Sequence, residues 1–244
     1  MSAVIIEGLW KAYDDLPVIE AIDLDIASGS FVTIVGASGC GKSTFLRLLL
    51  GQEQPTGGRI LVEGEPLPSE PGPERGIVFQ RYSVFPHLSV LDNVVLGLEF
   101  QQAPWSGRLF GQQRRLAEQE AEHLIAAVGL GHVRAARPAS LSGGMQQRLA
   151  IAQALILKPK ILLLDEPFGA LDPGIRDDMH ALISELWQET GMTVFMVTHD
   201  LREAFKLGTR VLTFDKVRQD PHAPEAYGAT ITYDLQGRQR AAAG

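Results

Sequence analysis

Short apolar runs separated by amphipathic stretches recur at both ends of the chain. The runs at 31–35, 161–164 and 193–197 are almost wholly apolar, which is typical of strands that are covered on both faces. Helix-forming sequence follows two of these runs, at 45–50 and at about 173–189. Buried strands that alternate with helices predict an α/β fold with a largely parallel sheet.

Further strands are predicted outside these runs from short extended or alternating patterns. They are expected at 4–7, 21–26, 59–63, 75–80, 210–214 and, as an edge strand, 227–233.

The middle of the chain has a different pattern. From about residue 89 the apolar positions take helical spacing, and 117–128 is a second helix-rich stretch. The segment 103–107 contains Pro and Gly and is expected to be an exposed connection. We therefore expect one domain over 1–244, in which 1–88 and 158–244 form an α/β core with a β subdomain. Residues 89–157 are expected to form an inserted helical subdomain.

Composition narrows the class of protein. The 244 residues carry 22 Lys and Arg against 29 Asp and Glu, a net charge of -7. This balance disfavours nucleic acid as a partner, because phosphate backbones favour clustered basic residues. No apolar run approaches the roughly 18 residues that a membrane-spanning helix requires. The N-terminus lacks signal-peptide features, and a single cysteine fits a reducing cytoplasm.

The strongest motif is Gly36–Thr44, which reads Gly-Ala-Ser-Gly-Cys-Gly-Lys-Ser-Thr. Between a strand and a helix, this spacing matches the phosphate-binding loop of nucleotide-binding proteins. Glycines let the backbone turn its N–H groups toward a phosphate, and the helix N-terminus adds donors. We expect Lys42 to reach the β- and γ-phosphates and Ser43 to ligate Mg²⁺. The alternative is a glycine-rich turn before a core helix.

A second motif places two acids at the end of a buried strand, where Asp165 and Glu166 follow the run at 161–164. Asp165 is predicted to hold the Mg²⁺ shell, and Glu166 to orient and polarise the attacking water. The alternative is a strand end with two solvated acids. A phosphate loop in the same chain disfavours it, because a bound triphosphate needs a metal-holding acid.

A third motif lies at Ser142, Gly143 and Gly144, before the helical run 149–157. Serine is a good N-cap, and two glycines at a helix start leave backbone N–H groups bare. The motif therefore predicts a second anion site. The alternative is an ordinary capped helix.

Together these motifs resemble the nucleotide-binding subunit of ATP-binding cassette (ABC) transporters, from about residue 4 to residue 214. Leu-Ser-Gly-Gly at 141–144, upstream of Leu-Asp-Glu-Pro at 164–167, makes the resemblance specific. It implies a P-loop NTPase core with a mostly parallel sheet, an antiparallel β subdomain and an inserted helical subdomain. It also implies hydrolysis of ATP with Mg²⁺.

The resemblance implies roles for further residues. Tyr13 matches the aromatic residue that stacks on adenine, and Gln80 the glutamine that contacts Mg²⁺ and the attacking water. His199 matches the histidine that contacts the γ-phosphate, and Asp172 is the acid of a loop through which two subunits communicate. Two copies would pack head to tail, with each ATP between Lys42 of one copy and Ser142–Gly144 of the other.

The predicted site has three groups of residues. The catalytic group is Lys42, Gln80, Glu166 and His199, and the metal ligands are Ser43, Gln80 and Asp165. The nucleotide-binding group is Tyr13, Gly36, Ser38, Gly39, Cys40, Gly41, Lys42, Ser43, Thr44, Ser142, Gly143, Gly144 and Asp172.

Two residues in these motifs, Met145 and Cys40, each lead to a separate prediction. Met145 stands where the family usually has glutamine, so weaker polar contacts near the ribose are expected. Cys40 lies beside Lys42 at a helix start, which favours the thiolate. The alternative is that Cys40 only fills space in the loop.

The resemblance also implies partners and a location. A separate permease would bind the segment 81–88, with Phe85 and Leu88 as apolar contacts; the alternative role of these two residues is core packing. The second ATPase would be another copy or a paralogue, a solute-binding protein would act indirectly, and no nucleic acid is expected. The chain would lie peripherally on the cytoplasmic face of the inner membrane.

The segments 72–80 and 168–172 are similar to importer ATPases for nitrate, sulfonates and taurine, and the tail at 220–228 to relatives linked to urea or guanidine compounds. Two alternatives stay open: an exporter ATPase and, more distantly, a P-loop small-molecule kinase. A soluble family member that acts on DNA or ribosomes is disfavoured, because such forms resemble long coiled-coil insertions or tandem cassettes and this sequence has neither.

Overall fold

The computed structural model describes residues 2–80, 84–103, 105–169, 171–218 and 226–237. The strands are β1 Ser2–Tyr13, β2 Leu16–Ala27, β3 Phe31–Gly36, β4 Gly57–Val62, β5 Glu65–Pro66, β6 Arg75–Val78, β7 Ile161–Asp165, β8 Thr193–Val197, β9 Arg210–Asp215 and β10 Thr230–Gln236. The α-helices are α1 Lys42–Leu50, α2 Val90–Gln102, α3 Gly111–Ala127, α4 Gly143–Leu155, α5 Pro173–Thr190 and α6 Leu201–Leu207.

The chain forms two compact units. The first unit comprises Met1–Gly72, Leu163–Glu166 and Leu186–Gly244, and the second comprises Pro73–Leu162 and Pro167–Glu185. The subdomain limits expected from the sequence, 1–88 with 158–244 and 89–157, stay a prediction. No helix in the described part of the chain has the length and apolar content needed to cross a membrane.

The first unit contains an antiparallel sheet in the order β2-β1-β4-β5, and the strands β10-β9-β3-β8-β7 of a second sheet. In the second sheet β3 pairs in parallel with both β8 and β9, and β10 lies antiparallel to β9 at the edge. The expected parallel sheet is therefore confirmed. Its core strands carry the buried Phe31, Phe195 and Phe214.

Two strands of the first unit differ from their expected limits. β1 extends from Ser2 to Tyr13, well beyond the expected 4–7, because it pairs with β2 along most of its length. The edge strand begins at Thr230 rather than at 227. The preceding residue, Ala229, bonds instead to the backbone of β2.

The second unit packs its helices around one apolar cluster, which includes Val94, Leu98, Ile125 and Leu149. Ser89 is the N-cap of α2, and its hydroxyl accepts a hydrogen bond from the Asp92 backbone N–H. Helix α3 begins at Gly111, six residues before the helix-rich stretch expected at 117. The additional turns are held by Arg114, which donates to Asp92 at 2.6 Å and to Glu99 at 2.8 Å.

In the connection between α2 and α3, the described residues 105, 106 and 108 are exposed, in agreement with the expectation for the segment 103–107. The Trp105 side chain is fully exposed, with a relative accessibility of 101%. The buried Leu109 anchors the segment, since its N–H donates to Glu99 at 3.2 Å.

Candidate nucleotide site

The phosphate loop follows β3, whose residues 31–35 are buried. Gly36 pairs with Phe214 of β9, and a Cβ at Gly36 would lie only 2.2 Å from the Phe214 carbonyl oxygen. Gly39 and Gly41 have φ angles of 78° and 91°, in the left-handed region that glycine enters without strain. The backbone path of the loop therefore requires glycine at these positions.

Helix α1 starts directly after the loop without a side-chain cap. Gly41 occupies the N-cap position and provides no acceptor for the first backbone N–H groups. Such a helix start is a ready anion site, because its donors and the positive end of its dipole point outward. The loop therefore fits the phosphates of a nucleotide.

Lys42 is folded onto its own loop. Its Nζ donates to the carbonyl oxygens of Gly36 at 2.8 Å and Ala37 at 2.7 Å, and it lies 3.8 Å from Cys40 Sγ. The Lys42 residue is 6% exposed and Cys40 is 4% exposed. The ammonium thus lies within the loop that a phosphate would enter, where two backbone carbonyls satisfy it.

Two of the three side chains expected at the metal, Ser43 and Asp165, meet beside this loop, whereas Gln80 belongs to the second unit. Ser43 Oγ donates to Asp165 Oδ1 at 3.2 Å, and Asp165 is the last residue of the buried strand β7. Burial raises the pKa of Asp165, the Ser43 hydrogen bond opposes that rise, and the neighbouring Glu166 charge adds to it.

Magnesium is commonly held by one or two carboxylates, a hydroxyl, waters and substrate phosphates rather than by a protein cage. Among the described residues no cluster of three or more His, Cys, Asp or Glu could hold a metal alone. The pair Ser43 and Asp165 therefore fits a magnesium ion that arrives with phosphate oxygens.

Glu166 has a strained backbone, with φ at 47°. Left-handed conformations are costly for residues other than glycine and concentrate at functional sites. The Glu166 N–H donates to Val197 at the end of β8, and its Oε2 lies 3.5 Å from His199 Nδ1. The adjacent Asp200 caps α6, since its carboxylate accepts from the Arg202 N–H at 2.8 Å. The predicted base and the predicted histidine therefore lie together in the first unit.

Tyr13 ends β1 and is 40% exposed. Its hydroxyl donates to Glu53, and Lys11 Nζ lies 4.8 Å from its ring centroid. Burial is the largest cause that raises the pKa of Tyr13, and the Glu53 contact adds to it. Sequence reasoning missed Lys11 and Glu53, because neither belongs to a motif.

The third motif lies in the second unit at the start of α4. The Ser142 hydroxyl accepts from the Met145 N–H at 3.3 Å, so Ser142 is the N-cap. A Cβ at Gly144 would lie 2.6 Å from Ile175 Cγ2, whereas a Cβ at Gly143 would meet nothing within 4 Å. Gly144 therefore allows close packing on Ile175, and Gly143 leaves the helix start open.

Met145 is half-buried in the second unit. It packs against the apolar cluster and lines an open pocket of about 210 Å³ at the start of α4. Its apolar packing explains why a thioether is tolerated at this position.

The remaining predicted residues also belong to the second unit. Gln80 is exposed and follows β6, and the Asp172 carbonyl accepts the first helical bond of α5, from the Arg176 N–H at 2.9 Å. In the expected permease segment, Phe85 is 40% exposed and Leu88 is half-buried. Residues 81–83 of that segment, residue 170 of the 168–172 loop and 220–225 of the tail lie outside the described residues.

Asn93 organises the end of the expected permease segment, and sequence reasoning missed it. It is 1% exposed, accepts from the Phe85 N–H at 2.8 Å and donates to the carbonyls of Phe85 and Leu88 at 3.1 and 3.2 Å. The signal available in the sequence was an amide within the apolar face of a helix.

A phosphate loop with an uncapped helix start, beside a hydroxyl–carboxylate pair and a glutamate with a histidine, defines a protein that binds nucleoside triphosphates. A family model described as "ABC transporter" matches residues 19–169. The chain belongs to the ABC transporter family, and it is an ATP-hydrolysing member.

Relatives and solved structures agree with this assignment. The chain is 41% identical to the aliphatic sulfonates import ATP-binding protein SsuB 1 of Rhizobium johnstonii, over 99% of this chain and 86% of the relative. It is 43% identical to the nitrate import ATP-binding protein NrtD of Synechococcus elongatus, over 80% of this chain and 68% of the relative.

A dimeric post-hydrolysis structure of the ATP-binding cassette MJ0796, bound to ADP and Pi, has a TM-score of 0.77 with this chain. The two are 29% identical, and the match covers 96% of this chain and 99% of the other. The expected fold class is confirmed.

Proposed function

We propose that this chain is the ATPase subunit of a bacterial ABC importer that takes up a small solute, of the nitrate, sulfonate or taurine kind or related to urea or guanidine, through a separate permease. The observation that carries its ATPase chemistry is the grouping of Ser43, Asp165, Glu166 and His199 beside the phosphate loop. Two relatives above 40% identity are named as import ATP-binding proteins, for aliphatic sulfonates and for nitrate. They support import over export and over a small-molecule kinase.

The proposed chemistry assigns a role to each residue near the loop. ATP with Mg²⁺ supplies a phosphoanhydride whose γ-phosphoryl group can pass to water. The N–H groups of Gly39 and Gly41, with Lys42, bind the phosphates, while Ser43 and Asp165 hold the metal. Lys42 releases the Gly36 and Ala37 carbonyls and turns to the phosphate oxygens. Ser38 and Thr44 complete the loop contacts, and Tyr13 stacks on adenine with the ring face opposite Lys11.

Glu166 is the proposed general base. Its Oε2 accepts the proton of the attacking water, and His199 orients that carboxylate from 3.5 Å and contacts the γ-phosphate. Gln80 is proposed to reach the metal and the water. The strained backbone of Glu166 points to a side chain held for chemistry rather than for stability.

We further propose that two copies, or this chain and a paralogue, assemble head to tail. Ser142, Gly143 and Gly144 of one copy then contact the γ-phosphate held by Lys42 of the other. The open helix start at Gly143 supports this role, because its backbone N–H groups can donate to an anion without displacing a side chain. Asp172 would belong to the loop between the copies, and phosphate release would let them separate.

The permease is proposed to bind the segment 81–88 on the cytoplasmic face of the inner membrane. Phe85 offers an exposed ring, and Asn93 holds the backbone around it. A solute-binding protein would act through the permease. Co-purification of the chain with a permease and a solute-binding protein is the expected result. Co-purification with a permease whose transport is outward would establish export instead.

The decisive test uses Glu166→Gln, which removes the base and keeps the size of the side chain. We expect ATP turnover to fall at least about 100-fold, the usual scale of a lost general base. The variant should bind ATP and elute as a dimer with ATP and Mg²⁺. The matched control is Glu189→Gln, the same change at an exposed position at the end of α5, which should behave as wild type. Normal turnover and a monomer with ATP in the Glu166 variant would disprove the role of Glu166.

A further inference from the structure

A buried carboxylate in the first unit takes no part in the proposed chemistry. Glu20 lies within β2 and is only 7% exposed, although burying a charge is costly unless it is paired. Its Oε2 accepts a hydrogen bond from the Arg218 guanidinium. The same guanidinium stacks on Tyr227, with 4.4 Å between Cζ and the ring centroid. These contacts tie the chain beyond β9 to β2.

The backbones of the two segments are joined as well. The Ala229 N–H donates to Val18 O and the Glu20 N–H donates to Ala229 O, both at 2.9 Å. Gly228 lies so close to β2 that a Cβ there would stand 2.8 Å from Glu20 Cγ and 2.9 Å from the Ile19 nitrogen. We refer to these contacts as the clasp, formed by Glu20, Arg218, Tyr227, Gly228 and Ala229.

The part of β2 that the clasp holds also touches the phosphate loop. A Cβ at Gly41 would lie 3.0 Å from Val18 Cγ1 and 3.3 Å from Ile19 Cγ1. Val18 and Ile19 therefore form a wall against the loop, at the residue where α1 begins. A small displacement of this wall would move the N–H groups that face a phosphate.

The pairing of this part of β2 with β1 is irregular. Ala21 has φ at 47°, a strained conformation for a residue with a Cβ. The β1–β2 register shifts here, since Leu9 pairs with Ile22 whereas Lys11 pairs with Ile19. Strained backbone persists only where its surroundings over-determine it. The clasp provides such contacts from the far end of the chain.

We propose that the clasp is a positioning element that raises nucleotide affinity by holding Val18 and Ile19 against the phosphate loop. Arg218 acts through Glu20 and β2, and it does not touch the nucleotide. Where it concerns ATP, the inference rests on the proposed function. The effect of the clasp on the phosphate loop does not depend on the proposed function, because movement of the loop can be measured without ligand.

The test compares Arg218→Ala with Arg59→Ala. Arg59 is a matched control, because it also forms an Arg–Glu ion pair between strands, with Glu7, but it lies on β4 and Glu7 on β1. Hydrogen–deuterium exchange of the ligand-free protein should be faster at residues 36–44 in Arg218→Ala and unchanged there in Arg59→Ala. ADP binding, measured by calorimetry, should weaken about threefold or more in Arg218→Ala only, as expected for coupling through packed contacts.

Two further variants exclude a general loss of stability. Arg218→Lys keeps a cation for Glu20 and should recover part of the affinity. The double variant Glu20→Gln with Arg218→Ala should be no weaker than Arg218→Ala alone, because both changes break the same link. Equal exchange at 36–44 in Arg218→Ala and wild type overturns the inference. Failure of wild type to bind ADP overturns the proposed function instead, and the exchange experiment still decides on the clasp.

Discussion

Replacing Gly36 with alanine tests how closely the phosphate loop is packed against β9. The new Cβ would stand 2.2 Å from the Phe214 carbonyl oxygen and 3.1 Å from Cys40 Sγ. The carbonyl belongs to a paired strand and cannot rotate away as a side chain can. Gly36 also has φ at 156°, at the margin of the region that favours glycine. The substitution therefore combines a backbone clash with backbone strain.

The expected loss in the free energy of unfolding is large for the addition of a single methyl group. Overpacking costs about 1–3 kcal/mol and an unfavourable backbone conformation about 1–3 kcal/mol, so we expect a loss of about 2–6 kcal/mol. For a domain of this size, one kcal/mol corresponds to about 2–4 °C in the melting temperature. Differential scanning calorimetry should show a drop in the melting temperature of roughly 4–24 °C. ADP binding should weaken as well, because β3 and the loop must move.

Gly39→Ala is the matched control within the same loop. Gly39 has φ at 78°, but a Cβ there would meet nothing within 4 Å. Only the backbone strain remains, about 1–2 kcal/mol. The Gly36 variant should thus be clearly less stable than the Gly39 variant. Equal melting temperatures for the two variants would show that close approach of β9 does not restrict the loop.

Further predictions concern single side chains of the site. Because burial holds the pKa of Asp165 above its usual value, its ionisation destabilises the ligand-free fold at neutral pH. Asp165→Asn should therefore raise the melting temperature at pH 8, and this gain should vanish as the pH falls through the raised pKa. The same variant should lose the stabilisation that Mg²⁺ with ATP gives to wild type. If Tyr13 stacks on adenine as proposed, Tyr13→Ala should weaken ADP binding about three- to tenfold, and Tyr13→Phe should not, since Phe keeps the ring and loses only the hydroxyl that bonds Glu53. Alkylation of Cys40 should be slow, because the thiol is buried; it should abolish ATP hydrolysis, and ATP should protect. Full activity of stoichiometrically alkylated protein would contradict this prediction.

The parts of the fold that the sequence predicts well are those encoded locally. The phosphate loop and the pair Asp165 and Glu166 depend on a short strand followed by a fixed spacing, so the motif and its surroundings appear together in the sequence. The buried strands β3, β7 and β8 are likewise predicted, because each is an apolar run of strand length that lies beside turn or motif residues.

The missed features depend on contacts between distant positions. Nothing near Glu20 in the sequence indicates that Arg218 and Ala229 will meet it, because a strand pairing over about 200 residues leaves no local pattern. The limits of β10 were wrong for the same reason. Lys11 and Glu53 around Tyr13, and Asn93 behind Phe85, are polar side chains whose partners only the folded chain identifies.

The position of Lys42 makes phosphate binding an exchange of partners rather than a simple addition. Two carbonyl oxygens of its own loop, at 2.7 and 2.8 Å, act as an internal competitor that an incoming anion must displace. The affinity for nucleotide then depends on the difference in free energy between two sets of hydrogen bonds. In one set Lys42 donates to the Gly36 and Ala37 carbonyls, and in the other it donates to phosphate oxygens. Ligands with less negative charge than ATP, such as a nucleoside monophosphate, should compete less well, and Lys42 would then select ligands by their charge before any chemistry begins.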